Sequence, residues 1–393
     1  MTRPLDARVA ILLAASSVTV MAGTVVAPAL PAMRAHYSSL PDAHMLVVLV
    51  MTLPGLVIAV TSPFMGLVAD LFGRTRLLVL GLALFVVSGV SGYVLESLPG
   101  ILVGRALVGL SVACVMTAAT ALLVDLTEGM ARNIVIGQQI AATGVGGLIF
   151  PLLAGILAHY DWRASFLVYL LPAVVVPLAW ARVKDVVKPA QAPVSSLAEF
   201  PVARGIVTYA LAVLGMIALY AIPLHIPYVL SAMGNSSPIL SGSAIGIASF
   251  SAAVWSLMFG KLRARFSPVA VVAISFGAIA VGYLVVARSS DVVTATIGLI
   301  VAGAGIGINL PNLTTWLQEN MPFGLRGRAA GGLTSAVALG QFVSTFFYGA
   351  IGAERAGASA FLFAAGLCAV VVATALLSLA LRKAAGAWPT KAP

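Results

Sequence analysis

Along this chain, apolar runs of roughly 18 to 25 residues recur between short clusters of charge. That is the length an α-helix needs to cross a hydrocarbon layer about 30 Å thick. The runs place about twelve spans, at Val9–Leu30, Met45–Val68, Leu77–Leu95, Pro99–Val124, Ile134–Ala158, Ala164–Ala181, Ile206–Leu230, Ser241–Gly260, Val269–Ala287, Val292–Leu317, Ala329–Ile351 and Ser359–Leu381. With 61% of its 393 residues hydrophobic and 9% charged, such a chain cannot clothe a water-facing globule, so its solvent is mainly lipid. The first run follows Arg3 and Arg8 as a signal peptide would, but it is longer than a typical signal core and has no convincing cleavage site. It reads as an uncleaved helix.

Basic residues near helix ends are retained on the cytoplasmic side. With the N-terminus inside, seventeen of the 22 Lys and Arg fall in inner segments, among them Arg74, Arg76, Arg132, Arg204, Arg263 and Arg326. Four, Arg34, Arg163, Arg288 and Arg355, fall outside, and Arg105 lies within the fourth span. Both termini are therefore expected in the cytoplasm of a bacterial-type inner membrane. The net charge of +10 is scattered one to three residues per loop, without the basic patch that would point to nucleic acid. Cys114 and Cys368 each fall inside a span in different halves, which suggests neither a disulfide framework nor a metal site. No phosphate-cradling loop, zinc helix or nucleophile elbow is present, so no enzyme activity and no cofactor are expected.

A shift of 194 residues brings Gly66 onto Gly260, Gly109 onto Gly303, Arg132 onto Arg326, Gly137 onto Gly331 and Gly155 onto Gly349, the signature of an internal repeat. The polar stretch 182–205 reads as a cytoplasmic linker between an N-terminal unit, 1–181, and a C-terminal unit, 206–393. The expected fold is an all-α membrane protein with two pseudo-symmetric six-helix bundles and a substrate site between them near the midplane, the arrangement of major facilitator carriers.

Several motifs resemble that superfamily. Gly66-Leu-Val-Ala-Asp70-Leu-Phe-Gly73-Arg74-Thr-Arg76 resembles its loop motif between the second and third helices, and the resemblance implies a latch of the outward-facing state. The second-half copy, Gly260-Lys-Leu-Arg-Ala-Arg265-Phe-Ser267, keeps positive charge but lacks the acid and the second glycine. Arg105-Ala-Leu-Val-Gly109 is similar to a fourth-helix motif whose arginine is associated with proton coupling, with Val108 where glutamine is usual. Gly147-Leu-Ile-Phe-Pro151-Leu-Leu-Ala-Gly155 resembles a degenerate antiporter motif. Asp161-Trp162-Arg163-Ala-Ser-Phe166 and Val25-Val-Ala-Pro28-Ala-Leu30-Pro31 also look like drug:proton antiporter sequences. The exporter-like motifs all lie in the first half.

An intramembrane arginine is costly unless it faces water or a partner, which makes Arg105 a functional candidate; the alternative is an arginine snorkelling to the outer interface. All twelve acids fall in loops or at helix ends, so no buried carboxylate marks a proton site. His225 is the leading titratable candidate, with interfacial packing as its alternative, and Asp42 and Asp125 follow. The resemblance implies that the first, fourth, seventh and tenth helices line the cavity. Gln138, Tyr220, Trp255, Asn309 and Gln341 are the further residues expected to face it, although aromatics in such helices also serve as interface anchors. A sparsely charged cavity suits small hydrophobic or amphiphilic molecules, and the resemblance implies their proton-coupled efflux by alternating access. Uptake or facilitated passage of a polar nutrient or sugar is the alternative, and a non-transporting sensor the last. The expected partners are a small-molecule substrate and the bilayer, and the resemblance implies protons as a further partner and a monomer.

Overall fold

The computed structural model describes residues 7–127, 129–184, 200–319, 321–322, 325–350 and 357–384. Among these, twelve helices are long and apolar enough to cross a membrane. They are α1 Ala7–His36, α2 Ala43–Phe72, α3 Arg74–Val94, α4 Leu98–Leu126, α5 Gly129–Tyr160 and α6 Trp162–Arg182. After the break follow α7 Val202–Ala232, α8 Pro238–Arg263, α9 Pro268–Arg288, α10 Val292–Gln318, α11 Arg326–Ala350 and α12 Gly357–Ala384. Most of the expected linker, residues 185–199, lies outside the described residues.

Local chemistry sets where the helices begin and bend. Ser97 caps α4 by accepting from Gly100 N–H at 3.3 Å, and 194 residues on, Asp291 caps α10 by accepting from Thr294 N–H at 2.9 Å. Each satisfies an amide that the first turn leaves without an intrahelical partner. Pro99, Pro238 and Pro268 sit in first turns, where the missing N–H removes no bond. In α1 the spiral tightens to 3₁₀ geometry at Val18–Val20 and again at Ala27–Ala29 around Pro28. Between α2 and α3, Gly73 adopts φ 90° and ψ 138°, which a side chain would strain. That explains the second glycine of the loop motif. Its counterpart Ser267 has φ −65° and instead caps α9 through Ala270 N–H, so the second half needs no glycine there.

The repeat recurs in packing. Gly109 of α4 lies against the backbone of Pro54 and the side chain of Val57 on α2; Gly303 of α10 lies against Ala248 and Ser251 of α8, each residue 194 positions on. Close approach of this kind is what small residues permit between membrane helices. Arg132 Nε donates to the carbonyl of Thr127 at 3.3 Å, and Arg326 Nε to that of Met321 at 3.3 Å, so equivalent arginines close equivalent helix ends.

The two bundles meet along α2–α11 and α5–α8. We call the end holding the α2–α3, α4–α5, α8–α9 and α10–α11 connections the basic face. Toward the opposite face both seams are shut: a Cβ on Gly55 would fall 2.7 Å from the Ala338 carbonyl oxygen, and Gly155 and Gly242 lie directly against the backbones of Pro238 and Pro151. Toward the basic face the same four helices carry glycines that make no such contact. Gly66, Gly260, Gly137 and Gly331, one on each, have open space where a Cβ would stand. Leu71 at the end of α2 is 81% exposed.

Candidate functional site

A cavity of about 320 Å³ lies between the bundles, walled by α1, α5, α7, α8, α10 and α11. No charged side chain lines it. Its walls are mostly aliphatic, with Ile140, Leu219, Ile222, Ile245, Ile306 and Leu310 among them. Three of its hydroxyls are turned back onto their own helices: Thr24 to Val20 O at 3.0 Å, Thr143 to Gln139 O at 2.8 Å, and Ser249 to Ile245 O at 2.9 Å. Asn309 differs. It is 8% exposed, and its Oδ1 has no hydrogen-bond partner among the described residues while its amide lies against Gly215 of α7. A buried acceptor of that kind costs free energy until something donates to it.

Of the other residues expected at the cavity, Tyr220 and Gln341 are buried and do not line it. The Tyr220 hydroxyl packs on Gly23 of α1, and Gln341 Nε2 donates weakly to the Met51 carbonyl at 3.5 Å. Beside them the hydroxyls of Thr52 and Thr345 meet at 2.5 Å across the seam. Trp255 is 44% exposed and does not line the cavity; its neighbours Ser256, Ala252 and Ala253 do. Gln138 does not line it either. The adjacent Gln139, which sequence reasoning missed, bonds Ser16 of α1 at 2.9 Å and Thr120 of α4 at 3.0 Å.

Arg105 is 1% exposed and points into the N-terminal bundle rather than the cavity or the interface. Its Nε donates to the Val50 carbonyl at 2.6 Å, its Nη1 to the Tyr169 hydroxyl at 2.6 Å, and its Nη2 to the Ala22 carbonyl. The acceptors are free for a reason written in the chain. Pro54, four residues after Val50, has no N–H to give back to it, and Ala22 stands where α1 loosens into the turn at Val25 and Val26. Tyr169 in turn donates to Met21 O at 2.9 Å. The fork thus ties α4 to α1, α2 and α6.

His225 is 5% exposed, stacked edge-on to Tyr348 of α11 with ring centroids 4.8 Å apart. It lies inside the C-terminal bundle, away from the cavity lining. Asp42 is exposed at the opposite face in a left-handed conformation, φ 56°. Asp125, with a side chain 9% exposed, accepts from Arg74 of the loop motif, and Arg74 also lies 3.5 Å from Asp70. The second half repeats the pair with different bookends: Arg263 at the end of α8 bonds Glu319, and Glu319 stands 194 residues after Asp125. The second loop motif therefore does find an acid, contributed by the end of α10. In the antiporter-like segment, Gly147, Pro151 and Gly155 all face α8, against Ser249, Gly242 and Pro238.

Twelve membrane helices in two related bundles around a central cavity define a multi-pass carrier for small molecules. The chain belongs to the Major Facilitator Superfamily, whose pattern matches residues 12–345. It is 34% identical over 107 residues to "Multidrug resistance protein 2" of Bacillus subtilis, a stretch covering 27% of each chain. It is 24% identical over 286 residues to a "Probable 4-methylmuconolactone transporter" of Cupriavidus pinatubonensis, covering 68% of this chain and 65% of that one. The matched stretch is thus about a quarter of the first relative's length and just under two thirds of the second's. A solved D-xylose-proton symporter superposes with a TM-score of 0.76 over 95% of both chains at 17% identity. At that identity the likeness speaks for the fold.

Proposed function

We propose that this transporter exports small, uncharged hydrophobic or amphiphilic compounds from the cytoplasm in exchange for protons, by alternating access, as a monomer. The observation that carries the reading is the cavity wall: aliphatic, without charge, three of its hydroxyls bonded back to their own helices, and with one amide, Asn309, whose buried oxygen has no partner among the described residues. A polar nutrient or sugar would need a ring of donors and acceptors to replace its hydration; a largely apolar guest with one donor matches what is present. The exporter-like segment around Gly147, Pro151 and Gly155 and the likeness to a multidrug resistance protein support the outward direction.

In this reading the basic face is cytoplasmic, as its arginines require, and the conformation is open to the cytoplasm. The cluster Gly66, Asp70, Gly73, Arg74 and Arg76 then acts as a latch that engages when the basic face closes. In this conformation Asp70 is 68% exposed and lies 3.5 Å from Arg74 of its own cluster. Asp125 is the coupling candidate that touches the latch, since its carboxylate accepts from Arg74. Arg105 and His225, enclosed in their bundles, position helices.

Everted membrane vesicles carrying the protein test the reading with a neutral lipophilic dye and an imposed pH gradient. Dye should accumulate with loss of the gradient, Asn309→Leu should weaken uptake of dyes with a hydrogen-bond donor by about tenfold, on the order of the 1.4 kcal/mol expected for one buried hydrogen bond, and Asp125→Asn should uncouple dye from proton flux. Transport of sugars or of permanently charged dyes in preference to neutral ones would overturn it.

A further inference from the structure

A second cavity, about 530 Å³, lies within the C-terminal bundle, where the basic-face ends of α7, α9, α10 and α12 come together. Arg204 near the start of α7 and Ser378 toward the end of α12 are lining residues near the basic face, Trp316 lines it as well, and Val207, Val272 and Ala375 line its apolar part. Arg204 is partly exposed and spends one hydrogen bond on the Glu319 carbonyl oxygen. The Glu319 carboxylate is held by Arg263, so the rim keeps a net positive charge. The cavity therefore combines a guanidinium, a tryptophan and a hydroxyl at the depth of a headgroup layer with an apolar trough toward the hydrocarbon, the two requirements of a phospholipid. The repeat supplies an internal control. The positions 194 residues before Arg204 and Trp316 are Ala10 and Leu122, so the first half carries neither group and helix packing alone does not call for them.

We infer that this cavity is a binding site for an anionic phospholipid of the leaflet at the basic face, its phosphate on Arg204 and one acyl chain in the trough floored by Val272 and Ala375. Arginine suits the phosphate because its planar fork donates two parallel bonds, and the trough supplies the apolar area that a headgroup alone lacks. The site is separate from the substrate cavity, which shares none of its lining residues.

The test uses the full chain purified in detergent, stripped of lipid and offered phosphatidylglycerol, phosphatidylcholine or glycerol 3-phosphate, with retention read by native mass spectrometry. The wild type should hold one phosphatidylglycerol in preference to phosphatidylcholine by at least about fivefold, and glycerol 3-phosphate should not displace it. Arg204→Gln should abolish the preference. Ala375→Phe, which fills the trough and leaves Arg204 in place, should reduce retention of both lipids, with thermal unfolding confirming that each variant is folded. Undiminished retention in either folded variant, equal retention of phosphatidylcholine by the wild type, or displacement by glycerol 3-phosphate would each overturn the assignment.

Discussion

Arg105→Met, alone and with Pro54→Ala, tests the account of the buried arginine most directly. The single substitution leaves the Val50 and Ala22 carbonyls without their donor, while Tyr169 keeps its bond to Met21. Each orphaned acceptor costs about 1–3 kcal/mol, and relief from burying a cation returns part of that, so a net loss of about 2 kcal/mol is expected. Pro54→Ala restores an N–H four residues after Val50. In the Arg105→Met background that N–H answers an orphan; in the wild type it competes with Arg105 for the same oxygen. The two changes should therefore be non-additive, with Pro54→Ala more favourable by about 1 kcal/mol when Arg105 is gone. Cys114 and Cys368 are 9% and 0% exposed, so a maleimide dye that fluoresces on reaching them reports unfolding without added probes. At roughly 2–4 °C per kcal/mol for a unit of this size, the coupling should appear as a shift of several degrees. If Pro54→Ala moves the melting temperature equally in both backgrounds, the carbonyl released by proline is not what holds Arg105.

The seam glycines predict opposite traps. Gly155→Leu or Gly242→Leu drives a side chain into the facing backbone and should hold the opposite face open, whereas Gly66→Leu or Gly331→Leu fits this conformation and should obstruct closure of the basic face; accessibility of single cysteines placed in each seam distinguishes them. At the start of α10, the backbone N–H and then the hydroxyl of Thr294 hold the Asp291 carboxyl below its usual range. Its stabilisation is present above the unfolded value of about 3.9 and is lost as pH falls through the lower folded value, so the melting difference between wild type and Asp291→Ala should shrink from pH 7 to pH 3. Equal differences at both would refute the cap. Gly73→Ala forces a side chain into φ 90° and should destabilise the α2–α3 turn by about 1 kcal/mol or more, whereas Ser267→Ala should cost only its cap, about 1 kcal/mol; thermal unfolding of each variant measures both.

Spans and repeat were legible because both leave one-dimensional traces: the apolar run has the thickness of the bilayer, and duplication preserves spacing, as Gly109 with Pro54 and Gly303 with Ala248 show. The site was less legible because facing depends on a 100° step per residue. Trp255 and Gln138 lie one position from residues with quite different surroundings, Ser256 on the cavity and Gln139 on α1 and α4. Pairings between distant elements left no local sign either: nothing near Arg263 announces Glu319. Pro54 did carry a usable signal, since a proline within an apolar run frees the carbonyl four residues before it, and an intramembrane arginine needs such an acceptor. Asn309 was found by residue type alone; that its oxygen stays unanswered is a fact of three dimensions.

Arg105 is held by two carbonyls and the Tyr169 hydroxyl, with no carboxylate in contact among the described residues, and a guanidinium is a fixed cation. Seven residues into α4, about 10 Å along the helix, the N-terminal bundle thus carries a permanent positive charge inside the dielectric of the membrane. Moving one such charge through the whole membrane field is worth about 2.3 kcal/mol per 100 mV. If the bundle tilts that charge through a tenth of the field, the two end states shift relative to each other by about 0.2 kcal/mol per 100 mV. The conformational cycle should accordingly respond to membrane voltage even when the cargo bears no charge.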